Sequence, residues 1–344
     1  MSLVIRSRAP LRVSFAGGGT DVDPYPEMKG GAVISTTIDR YAYVSLKLNT
    51  KNEVSVKSQD YGLLETFRDI SEMVYDGKLD LVKAAIKIVG IRNPSFDSLL
   101  HVDAPPGSGL GSSAAVSASL IGALAVLAGT HLTQYEIAEK AYHIERVELG
   151  IKGGRQDQYA TVFGGFNFLE FKKSSVEVTP LRIRTPILNE LLASILVCDT
   201  NITRLSGKIL ERQSKSYTEG GASVLENLDF IKQSAYDMKN SMVRGNMKEI
   251  GELLHLGWLH KKKLTSGITT PQLDAIYDKA LESGAMGGKL MGAGGGGHFM
   301  FICDPDKRED VSREVTKLGC KIVKINFDRE GLQVWKSNNG RIIS

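Results

Sequence analysis

Two kinds of hydrophobic patterning alternate along the chain. Residues 4–15 and 31–48 are rich in Val, Ile, Thr and Tyr, and "YAYVSLKL" alternates apolar with polar positions. This predicts strands on either side of the Gly/Pro-rich segment 16–31. "EVSVKS" adds another strand, and a helical period follows near 79–90. Ala114–Ala128 is the longest apolar run, interrupted by Ser117, Ser119 and Gly122. It is too short to cross a bilayer comfortably and predicts a buried helix. A second helix is expected from Thr133 to Leu149, opened by a capping box of Thr133 with Glu136 and stopped by Gly150.

Beyond it, "TVFGGFNFLEF" returns to strand character, and Ser174–Asn189 reads as a connector. From about 205 the period is helical as far as "TTPQLDAIYDKALESG", where Thr270 caps, Pro271 takes the first turn and Gly284 terminates. "GAMGGKLMGAGGGGHFMFIC" then sets a glycine-rich loop directly before a strand. A helix near 306–318 and strands near 320–327 and 332–335 close the sequence. Strands and helices mix without a regular βαβ beat and without internal repeats. The expectation is an α+β protein of two lobes, residues 1–185 and 186–344.

Composition changes this picture little. The 344 residues suffice for a large core, at 42% hydrophobic and 24% charged. A net charge of +4 gives little support to a nucleic-acid role and leaves anionic small molecules as partners. "HKKK", 260–263, reads as a solvated helical face. "MSLVIRSRAP" lacks the apolar core and cleavage site of a secretory signal, and Cys198, Cys303 and Cys320 fit neither a disulfide framework nor a zinc spacing. Reduced thiols in a cytoplasmic protein without a membrane partner are expected; a homodimer is compatible with the sequence.

Three glycine-rich loops carry the candidate chemistry. In "PPGSGLGSSAA", Pro106, Gly107, Ser108, Gly109, Leu110, Gly111, Ser112 and Ser113 precede or open the alanine-rich helix. Backbone N–H groups and the positive helix end would face an anion there. Taken alone, the segment serves equally well as a tight turn feeding a buried helix. A dinucleotide fingerprint fails on context, and a Walker A loop fails because no Lys-Ser/Thr pair follows the last glycine. "FAGGGTDVDPYP" brings Asp21 and Asp23 beside Arg12, although such aspartates usually cap their own turn. The third loop, 284–297, holds eight glycines in fourteen residues and suits either a domain contact or a wall of the same cleft.

On a helical wheel of the second helix, Glu145 falls at about 80° from Ile137, inside the apolar arc, and Glu148 at about 20° shares that face. A carboxylate removed from water needs a partner. For Glu148 that partner is expected to be an internal salt bridge; for Glu145 either a salt bridge or Mg²⁺ shared with Ser113. Asp157 in "KGGRQDQYATVFGG" has Lys152 and Arg155 nearby, which suits a group that orients a hydroxyl or accepts its proton.

Taken in order, "APLRVSFAGGGTD", "PPGSGLGSSAA" and "KLMGAGGGGHF" resemble the three motifs of the GHMP kinase superfamily, and the resemblance spans nearly the whole chain. It implies an N-terminal lobe like domain 2 of ribosomal protein S5, a ferredoxin-like C-terminal lobe, and ATP and substrate between them. It further implies ATP phosphates on Pro106–Ser113, Mg²⁺ on Ser113 and Glu145, Asp157 as base and Arg12 steadying the transferred phosphate. Asp21, with Gly18, Gly19, Thr20, Gly294 and Gly295, would face the substrate. Galactokinase carries Glu-His where this chain has Gly18-Gly19, which argues against galactose. "PLRVSFAGGGTD" is most similar to the branch that phosphorylates the anomeric hydroxyl of heptose 7-phosphates. Such a sugar-phosphate substrate needs a second anion site, for which Arg155, Lys152, Arg204 and Lys208 are candidates, none assigned. The alternatives are a kinase for an unphosphorylated sugar such as fucose or galactose, and a catalytically silent ATP- and sugar-binding regulator.

Overall fold

The computed structural model describes residues 3–91, 95–105, 107–173, 175–203, 206–338 and 341–343. Pro106 and Arg204, named above, lie outside the described residues, as does Ser174. The first lobe is built on two long strands, β1 (Leu3–Ala16) and β2 (Gly31–Leu48), bridged by the short helix α1 (Tyr25–Lys29). They are followed by β3 (Val54–Ser58), β4 (Leu63–Phe67), α2 (Asp80–Val89), β5 (Phe96–Val102), α3 (Ser112–Leu127), α4 (Gln134–His143), α5 (Gln156–Phe163), β6 (Asn167–Lys172) and β7 (Ser175–Pro180). β2 is long enough to serve two partners: its second half pairs with β5 and its first half with β6.

The second lobe comprises α6 (Thr185–Ser194), β8 (Ile195–Asp199), α7 (Ser206–Glu219), α8 (Gly221–Arg244), α9 (Met247–Lys262), α10 (Pro271–Glu282), β9 (Ala285–Leu290), β10 (His298–Cys303), α11 (Arg308–Lys317) and β11 (Lys321–Val323). Its sheet is antiparallel with spatial order β11-β8-β10-β9, the order of a ferredoxin-like layer. The chain then recrosses. β12 (Phe327–Asp328) pairs with β2, β13 (Gln333–Asn338) lines the outer edge of β1, and β14 (Arg341–Ile343) extends β13. β12, β13 and β14, beyond the expected division at 185/186, therefore belong by hydrogen bonding to the first sheet.

α3 is buried along almost its whole length, between β1 and β2 on one side and α2, α4 and α5 on the other. Small side chains make this possible, since Ala114, Ala115, Ala118 and Ala123 let the flanking backbones approach. The serines at this interface are put to use: Ser7 donates to the Ser119 carbonyl at 2.7 Å and Ser119 to the Ala42 carbonyl at 3.1 Å. No helix among the described residues is long and apolar enough to cross a membrane.

Several expectations need correction. Thr161–Phe163 complete α5 instead of starting a strand, because Gly164 is where the helix ends. The expected connector holds β7 and the start of α6. Ala285–Leu290 is a strand despite its glycines, held by pairing to β10, so only 291–297 form the loop. The helix expected over 133–149 divides: α4 ends at His143 and Ile144–Glu148 form a π-helical turn, in which the Leu149 N–H reaches the Ile144 carbonyl at 3.0 Å. The wider turn shifts the phase. Glu145 stays buried, whereas Glu148 turns outward and accepts a hydrogen bond from the Tyr75 hydroxyl in place of the expected salt bridge.

The capping box is present, with Thr133 Oγ1 accepting from the Glu136 N–H and the Glu136 carboxylate accepting from the Thr133 N–H. Thr133→Ala is expected to lower unfolding stability by about 1 kcal/mol. Urea denaturation should then show a lower midpoint with an unchanged slope.

Candidate active site

Arg12 sits on β1 where the pairing with β2 is irregular, between Pro10 and Leu11. Its backbone N–H donates to the Leu110 carbonyl at 2.9 Å, which ties the phosphate-loop candidate to the strand. The buried guanidinium makes a two-pronged contact with Asp157, Nε to Oδ1 at 2.7 Å and one terminal nitrogen to Oδ2 at 2.6 Å. The other terminal nitrogen donates to the Gly109 carbonyl. Three of the five N–H groups are thus committed, leaving one on each terminal nitrogen. The cation facing Asp157 is Arg12, and neither of the two expected from the sequence. Lys152 is exposed, and Arg155 stacks over the Tyr142 ring at 4.4 Å with Glu139 at 3.7 Å.

The loop itself has Gly107, Gly109 and Gly111 in the left-handed region, at φ 79°, 78° and 79°. Alternation of such residues with ordinary ones curls successive N–H groups toward a common centre. No side chain caps the first turn of α3, so its N–H groups face the same space. The third glycine loop packs directly behind. A Cβ at Gly109 would lie 2.6 Å from the Met291 carbonyl oxygen, and one at Gly292 would lie 2.8 Å from the Gly109 Cα. His298 Nδ1 donates to the Ser108 carbonyl at 2.8 Å and fixes the loop from the other lobe. Ser112 lies 3.3 Å from Ser108, hydroxyl to hydroxyl.

At the second residue of α3, Ser113 donates to Glu145 Oε2 at 2.7 Å. Gln158 holds the second Glu145 oxygen at 2.8 Å. The two residues expected to share a metal are therefore adjacent, directly after the loop. Together with Arg12 and Asp157, they show that the structure unites the catalytic, phosphate and metal candidates.

Asp21 is buried. It accepts from the Gly19 N–H at 3.1 Å and from the Gln156 backbone and side-chain nitrogens at 3.1 and 3.0 Å. It both braces its own turn and lines the cavity. Burial, and then the neighbouring Asp157 charge, push its carboxyl above the ordinary value, while the N–H donors pull it back. Gly154 gives it room, because a Cβ there would lie 1.9 Å from Asp21 Oδ2. Gly18 and Gly19 line the cavity with it. Thr20 does not, being spent on the Gly17 and Ala32 carbonyls at 2.8 and 3.0 Å. Gly294 and Gly295 are likewise turned away: Gly294 packs on the Ile268 backbone and the Gly295 N–H donates to the Ile268 carbonyl at 2.8 Å. From that loop Gly292 and Ala293 reach the cavity. Asp23 and Lys208 are exposed.

Sequence reasoning missed Lys261 and Lys289, which line the same cavity at 5% and 6% exposure. Lys261 was readable: it continues the buried stripe Ile250, Leu254, Trp258 of α9, so "HKKK" is not uniformly solvated. Lys261 donates to the Gly292 carbonyl at 2.6 Å. Burial pushes its ammonium down to about 8, with Asp21 opposing and Arg12 reinforcing. Lys289 is also pushed well below its ordinary value, by burial first and then by Lys261 and Arg12. Four basic side chains, counting Arg146, line the cavity against two acidic ones. Such a space selects anions.

Comparison with known proteins agrees with this chemistry. Residues 80–165 match the GHMP kinases N terminal domain and residues 238–319 the GHMP kinases C terminal domain. A D-glycero-alpha-D-manno-heptose 7-phosphate kinase of Campylobacter jejuni is 36% identical over 337 residues, covering 96% of this chain and 99% of its own. An L-fucokinase/L-fucose-1-P guanylyltransferase of Bacteroides fragilis is 27% identical over 97% of this chain but only 39% of its own length. The crystal structure of a D-glycero-D-manno-heptose 1-phosphate kinase from Bacteroides thetaiotaomicron superposes with a TM-score of 0.82 at 32% identity, over 97% of this chain and 100% of that one. Fold and site define a two-lobed phosphotransferase that uses ATP as donor. The chain belongs to the GHMP kinase family.

The lowered Lys261 value has a thermodynamic consequence. Between about 8 and the ordinary value of 10.5, the unfolded chain keeps a proton that the folded chain has lost, so the stability linked to Lys261 rises with pH across that window. Unfolding of the native enzyme and of Lys261→Met should be compared at about pH 7 and about pH 10. The native enzyme is expected to gain on the variant by up to about 3 kcal/mol. A pH-independent difference would assign Lys261 its ordinary value.

Proposed function

We propose that the enzyme transfers the γ-phosphoryl group of ATP to the anomeric hydroxyl of a sugar phosphate, most specifically D-glycero-D-manno-heptose 7-phosphate, giving the 1,7-bisphosphate. One observation carries the reading: the Arg12–Asp157 pair lines one cavity with two buried lysines, and the same Arg12 side chain holds the glycine loop through the Gly109 carbonyl. The name and identity of the Campylobacter relative support the heptose phosphate over a neutral sugar.

The N–H groups of 107–113 would hold the ATP phosphates. The two uncommitted Arg12 N–H groups would face the phosphoryl in transit and offset the charge that spreads over its oxygens. Asp157 would accept the proton of the C1 hydroxyl as the new oxygen–phosphorus bond forms and the bond to the β-phosphate oxygen breaks, later releasing that proton to solvent. Asp21 would receive sugar hydroxyls and fix the ring.

For magnesium, the residues fit. Ser113 and Glu145 present hydroxyl and carboxylate oxygens within 2.7 Å of each other, the hard donors this ion prefers. When bound, it would supply charge neutralisation at the phosphates. Gln158 keeps the Glu145 carboxylate oriented for that task.

ADP release measured with heptose 7-phosphate, fucose, galactose and mannose tests the acceptor. The heptose phosphate is expected to dominate in kcat/KM, with phosphorus NMR locating the new ester on C1; a faster neutral hexose would overturn the reading. Asp157→Asn is expected to reduce kcat by about 10²–10⁴-fold while the KM for ATP stays within about threefold. Glu145→Gln should raise the magnesium concentration for half-maximal rate by at least about tenfold. An unchanged magnesium titration would remove Glu145 from that role.

A further inference from the structure

The chain treats its buried lysines in two ways. Lys83, 2% exposed, is surrounded by carboxylates: Asp76 at 2.6 Å, Glu65 at 3.3 Å and Asp80 at 3.6 Å. Lys261 and Lys289 are buried almost as deeply, yet neither forms an ion pair among the described residues. Lys261 has only the Gly292 carbonyl, and Lys289 only the Ser14 hydroxyl at 3.5 Å. An ammonium group withdrawn from water with no carboxylate in ion-pair contact is destabilising, and two that share one cavity also repel each other. What is missing from this part of the cavity is an anion.

The surroundings define what kind. Gly18 lies outside the left-handed region, so its backbone conformation does not require glycine. A Cβ there would touch only polar ends at ordinary contact distances: Ser14 Oγ at 3.5 Å, Gln156 Nε2 at 3.7 Å and Lys289 Nζ at 3.7 Å. The missing side chain leaves open space among three hydrogen-bonding groups. Nearby, Gln156 Oε1 and Gln213 Oε1 are buried and unpartnered, and both residues line the cavity. Free amide oxygens suit hydroxyl donors. A ligand that satisfies all of these carries a phosphate at one end and hydroxyls along its length.

Position separates this place from the site of transfer. Ser14 follows Arg12 on the same face of β1, two residues and about 7 Å farther along the strand. The transferred phosphoryl belongs at Arg12, so an anion at Ser14 and Lys289 sits one strand step beyond it.

We propose that Lys289 and Lys261, with Ser14 and the open position at Gly18, form the subsite for the phosphate ester that the acceptor already bears. This rests on the sugar-phosphate reading above. Lys289 is the specificity-determining residue, and Lys261 bridges the subsite to the third glycine loop.

The test compares native enzyme, Lys289→Met, Lys289→Arg and Gly18→Glu, using heptose 7-phosphate, the same heptose without its phosphate, and ATP. In Lys289→Met, kcat/KM for the phosphorylated acceptor is expected to fall about 100-fold, chiefly through KM, with less than about a threefold change for the neutral sugar and for ATP. Lys289→Arg should recover part of the loss. Gly18→Glu, which sets a carboxylate against Lys289, should abolish the preference for the phosphorylated sugar. Lys289→Met should also melt at a higher temperature, since an uncompensated charge has gone. Equal losses for both sugars, or a rise confined to the KM for ATP, would overturn the proposal. If the native enzyme prefers neutral sugars, it is the acceptor reading that fails. The subsite is then tested by inorganic phosphate, which should inhibit competitively against the sugar in native enzyme and not in Lys289→Met; inhibition equal in both overturns the subsite as well.

Discussion

The site depends on a single buried guanidinium. Arg12 joins three pieces of chain that are far apart in sequence: β1, which carries it, the loop whose Gly109 carbonyl it contacts, and α5, which brings Asp157. Its planar fork fixes the distance and orientation of the carboxylate relative to the glycine loop, which a flexible ammonium at the same place would not do. Everything else is arranged to keep that geometry. The Arg12 N–H holds the Leu110 carbonyl, and His298 steadies the loop from the second lobe.

Charge is distributed unevenly around this pair. Asp21 is well supplied with N–H donors and is satisfied without a ligand. The lysines on the opposite wall are not. A fold that leaves buried cations short of partners in one cavity gives up stability there, a shortfall that binding of an anion would offset.

The parts legible in the sequence were those in which local chemistry and global fold coincide. The glycine loop ahead of an alanine-rich helix, the capping box at Thr133 and the carboxylate of Glu145 in an apolar arc are all where the pattern placed them. The ferredoxin-like order of the second sheet followed from the motif resemblance and not from periodicity. Reasoning failed where tertiary pairing overrode local preference. Glycines in Ala285–Leu290 are held extended by β10, and the π-helical turn at Ile144–Glu148 rotates Glu148 outward against the wheel. Lys261 was lost for another reason: a run of three lysines was read by composition, although its phase on α9 placed one of them inside. Lys289 gave no comparable signal, since a lone lysine in a glycine-rich strand has no periodic face to declare it.

The recrossing of the chain bears on how the molecule comes into being at the ribosome. Leu3–Arg8 pairs with Gln333–Asn338, so the outer rim of β1 stays open until the whole second lobe and β13 after it have been synthesised. Until they emerge, the nascent protein carries an open ribbon edge, with Arg6 and Arg8 along it discouraging adhesion to neighbouring chains. Synthesis of β13 and closure of the sheet that carries Arg12 are thus one event, and a copy that lacks β13 stays an unsealed one.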